Sequence, residues 1–347
     1  MKKLAFALSL AALLAACGSN SGGTDGGQSG GLKIVGSSTV YPFTTAVAEQ
    51  FQRANPGINV VVESTGTGSG IKLFCSGVGA ETPDIVNASR PMKKSEYDSC
   101  AAAGVTEVIE VPVGIDGLTF ITASGSESMN LTQEDIYKAL AANPYGKGPN
   151  TAQTWKDVNP SLPAIKIRVL GPPPTSGTRD SLVELYLEKG CTADPAMKAL
   201  KESDEAKYKD ICTKVREDGL FVEAGENDNL IVQKVSQDPG SLGILGYSFL
   251  EENADRVKPV SVNGVAPTEE TISNLSYPGA RKLFIYIKGH HLAAKPAIRD
   301  FVQTYARMWG KGGPLEQRGL VPLGEADLAA STKQSGELKP LDPAGLK

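Results

Sequence analysis

The chain has 347 residues, with 35 Lys and Arg against 39 Asp and Glu, a formal net charge of −4 and only two histidines. An acidic balance argues against nucleic acid as a partner, because polyanions are held by concentrated cations. The length exceeds one ordinary domain, so two lobes are expected, and adjacent His290 and His291 without any Cys-x-x-Cys spacing imply neither a metal site nor a cofactor.

Residues 1–17, MKKLAFALSLAALLAAC, join Lys2 and Lys3 to an apolar run too short for a comfortable membrane span, which is the pattern of an export signal. Leu14, Ala15 and Ala16 before Cys17 resemble the bacterial lipoprotein processing box, which implies a diacylated Cys17 as the mature N-terminus. An ordinary cleaved signal is the alternative. The Gly/Ser-rich stretch 18–31 then serves as a tether, and Gly18 after the cysteine implies the outer membrane where a cell has two. Loss of the signal removes Lys2 and Lys3 and leaves 33 basic against 39 acidic residues, a net charge of −6. The expected product is an exported, lipid-anchored monomer at the cell envelope.

Three segments share one pattern of strand, small polar loop and helix. The apolar strand 32–35 runs into Gly36-Ser37-Ser38-Thr39-Val40-Tyr41-Pro42 and a helical repeat of Phe43, Val47, Ala48 and Phe51, with Pro42 suited to a first helical position. The β-branched run 58–62 leads to Gly66-Thr67-Gly68-Ser69-Gly70 and then Ile71, Leu73 and Phe74. The run 165–170 is followed by three prolines, by Thr175-Ser176-Gly177-Thr178-Arg179-Asp180, and by the apolar repeat Leu182, Val183, Leu185, Tyr186 and Leu187. The first N–H groups of a helix have no intrahelical partners and carry partial positive charge, so such starts favour anions. Gly177 allows close main-chain approach, and Arg179 adds a forked cation. Repetition predicts that several helix N-termini converge on one anion; the bland alternative is a set of capped helices, with Asp180 in the first turn of the third.

Further strands are expected at 85–86, 108–113, 118–122, 242–244 and 283–287, and helices at 132–142, 181–189, 229–236 and 296–309. Their alternation predicts α/β architecture. The charged segment 193–215 reads as a helical insertion, Trp155 as a core aromatic, and Glu226-Asn227-Asp228-Asn229 as a capped helix start that can border a cleft. The tail after Ala330 is expected to dock loosely. Cys75, Cys100, Cys191 and Cys212 form an even set in an oxidising compartment. Proximity favours Cys75 with Cys100 and Cys191 with Cys212, three connectivities being open, and each bridge would contribute about 3 kcal/mol.

An enzyme reading has one foothold. Ser69 and Lys72 satisfy Ser-x-x-Lys, and Ser261 with Asn263 satisfies Ser-x-Asn, but the third element of that nucleophile set is missing. GxGxxG and the Walker A pattern are missing too. No enzyme is expected, and a serine hydrolase using Ser69 is the weakest alternative.

Seven short stretches carry a resemblance: GSSTVYP at 36–42, STGTGSGIK at 64–72, DIVNASRPM at 84–92, DGLTFIT at 116–122, TSGTRD at 175–180, ENDN at 226–229 and GSLGILGY at 240–247. In number and order they resemble the phosphate-binding proteins of bacterial phosphate-specific ABC importers. The resemblance implies an α/β, two-lobed type II periplasmic-binding-protein fold with a hinge and an inter-lobe anion cleft. It implies inorganic phosphate as ligand and an ABC permease and ATPase as partners. Lobe I would comprise 32–117 plus about 258–330 and lobe II 118–257, with a tail at 331–347 and hinges within 113–121 and 257–287.

By the same resemblance Thr39 and Val40 offer phosphate a hydroxyl and a backbone N–H, assisted by Ser38. Thr67 serves from the second loop, and Ser176, Gly177 and Thr178 from the third. The family's arginine before the third loop falls within Gly171-Pro172-Pro173-Pro174 here, so Arg179 or Arg90 must supply the cation. Arg90 itself stands where better-known members carry the aspartate that accepts a hydrogen bond from protonated phosphate. Asp116 is the candidate replacement, its alternative being a plain turn residue before Gly117. Receptors for sulfate, molybdate or arsenate, and a surface phosphate scavenger or sensor, are the remaining alternatives.

Overall fold

The computed structural model describes residues 31–225 and 227–346; the expected signal, Cys17, the tether through residue 30, and Glu226 lie outside the described residues. Ten strands are present among them: β1 (Leu32–Gly36), β2 (Val60–Ser64), β3 (Ile85–Ala88), β4 (Val108–Ala123), β5 (Asn130–Leu131), β6 (Val169–Gly171), β7 (Phe221–Glu223), β8 (Leu242–Gly246), β9 (Val257–Val262) and β10 (Ala280–Lys288). Their order is β2-β1-β3-β10-β4-β8-β6-β7, with β9 on β4 and β5 on β9.

The protein is two-lobed, and one strand belongs to both lobes. The first part of β4, through Gly117, pairs with β10, while Leu118 to Ala123 pair with β8 and β9. The two runs expected at 108–113 and 118–122 are therefore one 16-residue strand. Gly114, between them, leaves room for Leu320, whose Cδ1 would lie 2.5 Å from a Cβ at that position.

In the first lobe, β1, β2 and β3 run parallel with β10 antiparallel beside them. Parallel sheets need both faces covered, and alternating side chains supply two apolar faces. Ile34, Leu283 and Ile285 pack with the helices Tyr41–Ala54 and Ala297–Ala306, while Val35, Phe284 and Tyr286 pack with the helix Thr67–Phe74 and the Cys75–Cys100 disulfide. The second lobe is built on β6, β7, β8, β9 and the end of β4, around a core that includes Phe120, Trp155 and Tyr186. Ile272 and Tyr277 belong to this core as well, so the chain stays with the second lobe until β10. The charged insertion forms the helices Pro195–Ser203 and Glu205–Cys212, and Cys212 is bonded to Cys191.

The tail differs from expectation. A helix, Glu325–Glu337, buries Ser331 and Ser335, Leu338 joins a core of the first lobe, and Leu341 donates its N–H to Val108 O at 2.8 Å. Leu338 and Leu341 both pack on the first lobe, so a low apolar content still docks the segment. No helix among the described residues is long and apolar enough to cross a membrane.

Candidate functional site

The first and third loops meet. Gly36, at φ +127°, turns the chain out of β1 where a Cβ would lie 2.2 Å from Asn87 O, and the helix that follows starts after Val40 with Pro42 in its first turn. This turn carries Ser38 and Thr39 to the lobe edge. From the other lobe, Ser176 caps the helix beginning at Gly177, its Oγ accepting from Thr178 N at 3.2 Å. A Cβ on Gly177 would sit 2.5 Å from Ser38 O and 2.7 Å from Thr39 Cα. Only glycine permits that approach.

The helix continues through a π-helical turn, Val183–Leu187, to Cys191, and Gly177, Ser181 and Glu184 fall on one face at helical spacing. Thr39 Oγ1 donates to Gly177 O at 3.1 Å, and Ser38 Oγ donates to the Asp180 carboxylate. Ser181 Oγ donates to Asp116 Oδ2 at 2.7 Å.

Arg281 joins these groups. Its Nη2 donates to Thr39 Oγ1 at 3.0 Å and Ser181 Oγ at 2.7 Å, its Nε to Asp116 Oδ2 at 3.3 Å, and its Nη1 to Glu184 Oε2. Glu184 also accepts from Ser89 Oγ at 3.4 Å, and Ser89 meets Thr67, Oγ to Oγ1, at 3.0 Å. Thr39, Thr67, Asp116 and Gly177 are thereby tied into one hydrogen-bonded cluster between the lobes.

The other expected residues are placed around or away from it. Val40 is buried, its N–H 3.4 Å from Ser37 Oγ. Arg90 forks onto Glu96 at 2.9 and 2.7 Å, and this hydrogen bond raises its pKa. Arg179 lies over the Phe221 ring at 4.6 Å, donates to Pro172 O at 2.8 Å and approaches Glu223 at 3.8 Å, with burial drawing its pKa down. Ser69 and Lys72 are exposed on the first lobe, while Ser261 stands on β9 of the second.

Sequence reasoning missed Arg281, Ser181, Glu184 and Ser89. Ser181 and Glu184 had a usable signal, since they follow Gly177 at the spacing of one helix face. Arg281 and Lys282 are charges directly ahead of the apolar run 283–287, but only the pairing of Arg281 with Asp116 across β10 and β4 brings that guanidinium to the cleft.

Chemically, the cluster combines a guanidinium and hydroxyls that donate with carboxylates that only accept. Such a set suits a tetrahedral oxyanion that itself carries a proton: its oxygens take the donated bonds and its O–H answers a carboxylate. A fully ionised oxyanion meets the same carboxylates as repulsion.

Known proteins agree with the architecture. Residues 20–306 match the profile described as the PBP superfamily domain. Protein SphX of Synechococcus elongatus is 36% identical over 306 residues, covering 86% of this chain and 79% of that protein. The phosphate-binding protein PstS of Staphylococcus saprophyticus is 30% identical over 338 residues, 96% of this chain and 92% of that one. The crystal structure of a possible phosphate binding protein from Planctomyces limnophilus superposes with a TM-score of 0.70 at 28% identity, covering 89% of this chain and 98% of that one. With near full-length matches in sequence and in structure, the chain belongs to the PBP superfamily, in the family of PstS-like binding proteins.

Proposed function

We propose that the protein is the phosphate receptor of an ABC importer, closing its lobes on inorganic phosphate and presenting it to a permease and ATPase. The observation that carries this reading is the inter-lobe cluster in which Arg281 contacts Thr39, Ser181, Asp116 and Glu184. Ligand oxygens take the place of the contacts these side chains now make with one another. Charge-assisted hydrogen bonds contribute roughly 1.5–3 kcal/mol each, so about six exceed the roughly 8 kcal/mol of micromolar binding before association costs. Asp116 accepts a hydrogen bond from the O–H of phosphate and sets the selectivity.

Closure turns on two neighbouring crossings. β4 changes partners between Gly117 and Leu118, and the return crossing lies beside it, where Leu118 N donates to Gly279 O at 2.9 Å and Gly117 pairs with Ala280. A ligand bridging the lobes stabilises the closed state by contacts the open state lacks. In this reading the protein is a binding protein rather than an enzyme, works as a monomer, and is exported and held at the envelope by a lipid on Cys17.

Calorimetry with phosphate, arsenate, sulfate and molybdate tests the function. Phosphate should bind at a single site with micromolar or tighter affinity, and sulfate should give no measurable heat. Sulfate binding as tightly as phosphate overturns the assignment.

A further inference from the structure

A cavity of about 500 Å³ opens outward from the cluster and shares Thr67, Ser89, Glu184 and Arg281 with it. That volume lies within the roughly 300–1,000 Å³ typical of drug-sized ligand sites, far beyond the needs of a five-atom ion. Seven of its lining side chains are basic and three acidic, in a chain whose net charge is −4. Most of the cations are already paired: Arg90 with Glu96, Lys201 with Glu188, Lys209 with Glu205, and Lys282 with Asp327. Lys93 and Lys189 form no ion pair among the described residues, and both are exposed.

These two lysines come from opposite lobes and sit on anchored elements. Lys93 precedes the helix Lys94–Ala102, which carries the bridged Cys100, and its own N–H donates to Glu96 Oε2 at 2.9 Å. Lys189 lies two residues before Cys191, which is bonded to Cys212 of the helical insertion. The insertion forms a wall of the cavity through Lys201, Glu205, Tyr208 and Lys209. Lys209, hydrogen-bonded to it, holds the Glu205 carboxylate below its ordinary range.

We propose that Lys93 and Lys189 form an outer oxyanion station at the mouth of the cleft, which gathers inorganic phosphate before the lobes close on it. This rests on the phosphate reading above. Unpaired cations lining one concave mouth from opposite lobes concentrate anions and raise association rates, and salt suppresses the effect. The inner cluster alone then determines how long the ligand stays.

Stopped-flow binding of inorganic phosphate to the full chain tests the station. In the Lys93→Gln/Lys189→Gln double variant association should slow about fivefold at low ionic strength, and the gap should close near about 0.5 M salt. Dissociation should stay within about twofold of the parent, and Lys147→Gln, a lysine outside this cavity, should change neither rate. Unchanged association in the double variant, or slowing that persists in high salt, overturns the station and leaves the phosphate reading standing. If the unaltered protein does not bind phosphate at all, that reading falls and the station with it.

Discussion

Arg281 and Asp116 are register partners across the antiparallel pairing of β10 with β4, and Arg281 Nε donates to Asp116 Oδ2 at 3.3 Å. The pair stands one residue before the point where β4 leaves β10 for the strands of the second lobe. In the closure proposed above, cation and acceptor sit beside the pivot, where the motion would displace them least while bringing the loops carrying Thr39 and Gly177 together. Charges held on sheet rather than on loops would keep their geometry fixed through such a motion.

Asp116→Asn should erode selectivity more than affinity. The amide retains an oxygen for Ser181 and Arg281 but no longer repels a fully ionised oxyanion. Sulfate should then compete with phosphate at least about tenfold better than it does against the parent protein, in a competition titration. Unaltered rejection of sulfate would remove Asp116 from that role.

Gly177→Ala should hold the lobes apart. The added Cβ would meet the backbone of Ser38 and Thr39 at 2.5–2.7 Å, and backbone cannot swing aside as a side chain tip can. Phosphate affinity should drop by more than about tenfold, and small-angle scattering with saturating phosphate should record a larger radius than for the parent. Thermal stability should change little, because each lobe keeps its own core. A parent-like radius with phosphate bound would show that the contact is not part of closure.

Asp228 opens the helix Asp228–Gln237, and burial pushes its carboxyl up to about 6, against the opposing hydrogen bond from Gly246. A folded-state value above the unfolded 3.8 means that the native protein binds the extra proton between those limits, so this group opposes folding as pH rises through that window. Asp228→Asn should therefore be more stable than the parent at pH 7.5, by about 1–2 kcal/mol after allowing for partial exposure and for the lost charge at a helix N-terminus. The advantage should shrink as pH falls below 6. Denaturant unfolding at several pH values checks both sign and trend.

Much of the architecture was legible because it is written locally. The alternation of strands and helices, the glycine-softened loops at 36–42, 66–70 and 175–180, and the cysteine pairs close in sequence all depend on neighbours along the chain. What was hidden depends on long-range register. Arg281 reaches the cleft only because β10 pairs with β4, and nothing near residue 281 announces that partner. Arg179 was attractive as a cation beside the third loop, but its position on the helix turns it toward Phe221 and Glu223. The tail misled for a related reason: two leucines, Leu338 and Leu341, dock it by packing on the first lobe.

One guanidinium holding an oxyanion between the lobes is the centre of the proposed function, and calorimetric titration of phosphate into Arg281→Gln tests it most directly. Losing the fork leaves Asp116 and Glu184 without their cation, so affinity should fall at least about a hundredfold while the unfolding midpoint stays near that of the parent. An Arg281→Gln variant that binds phosphate within about twofold of the parent would contradict the account.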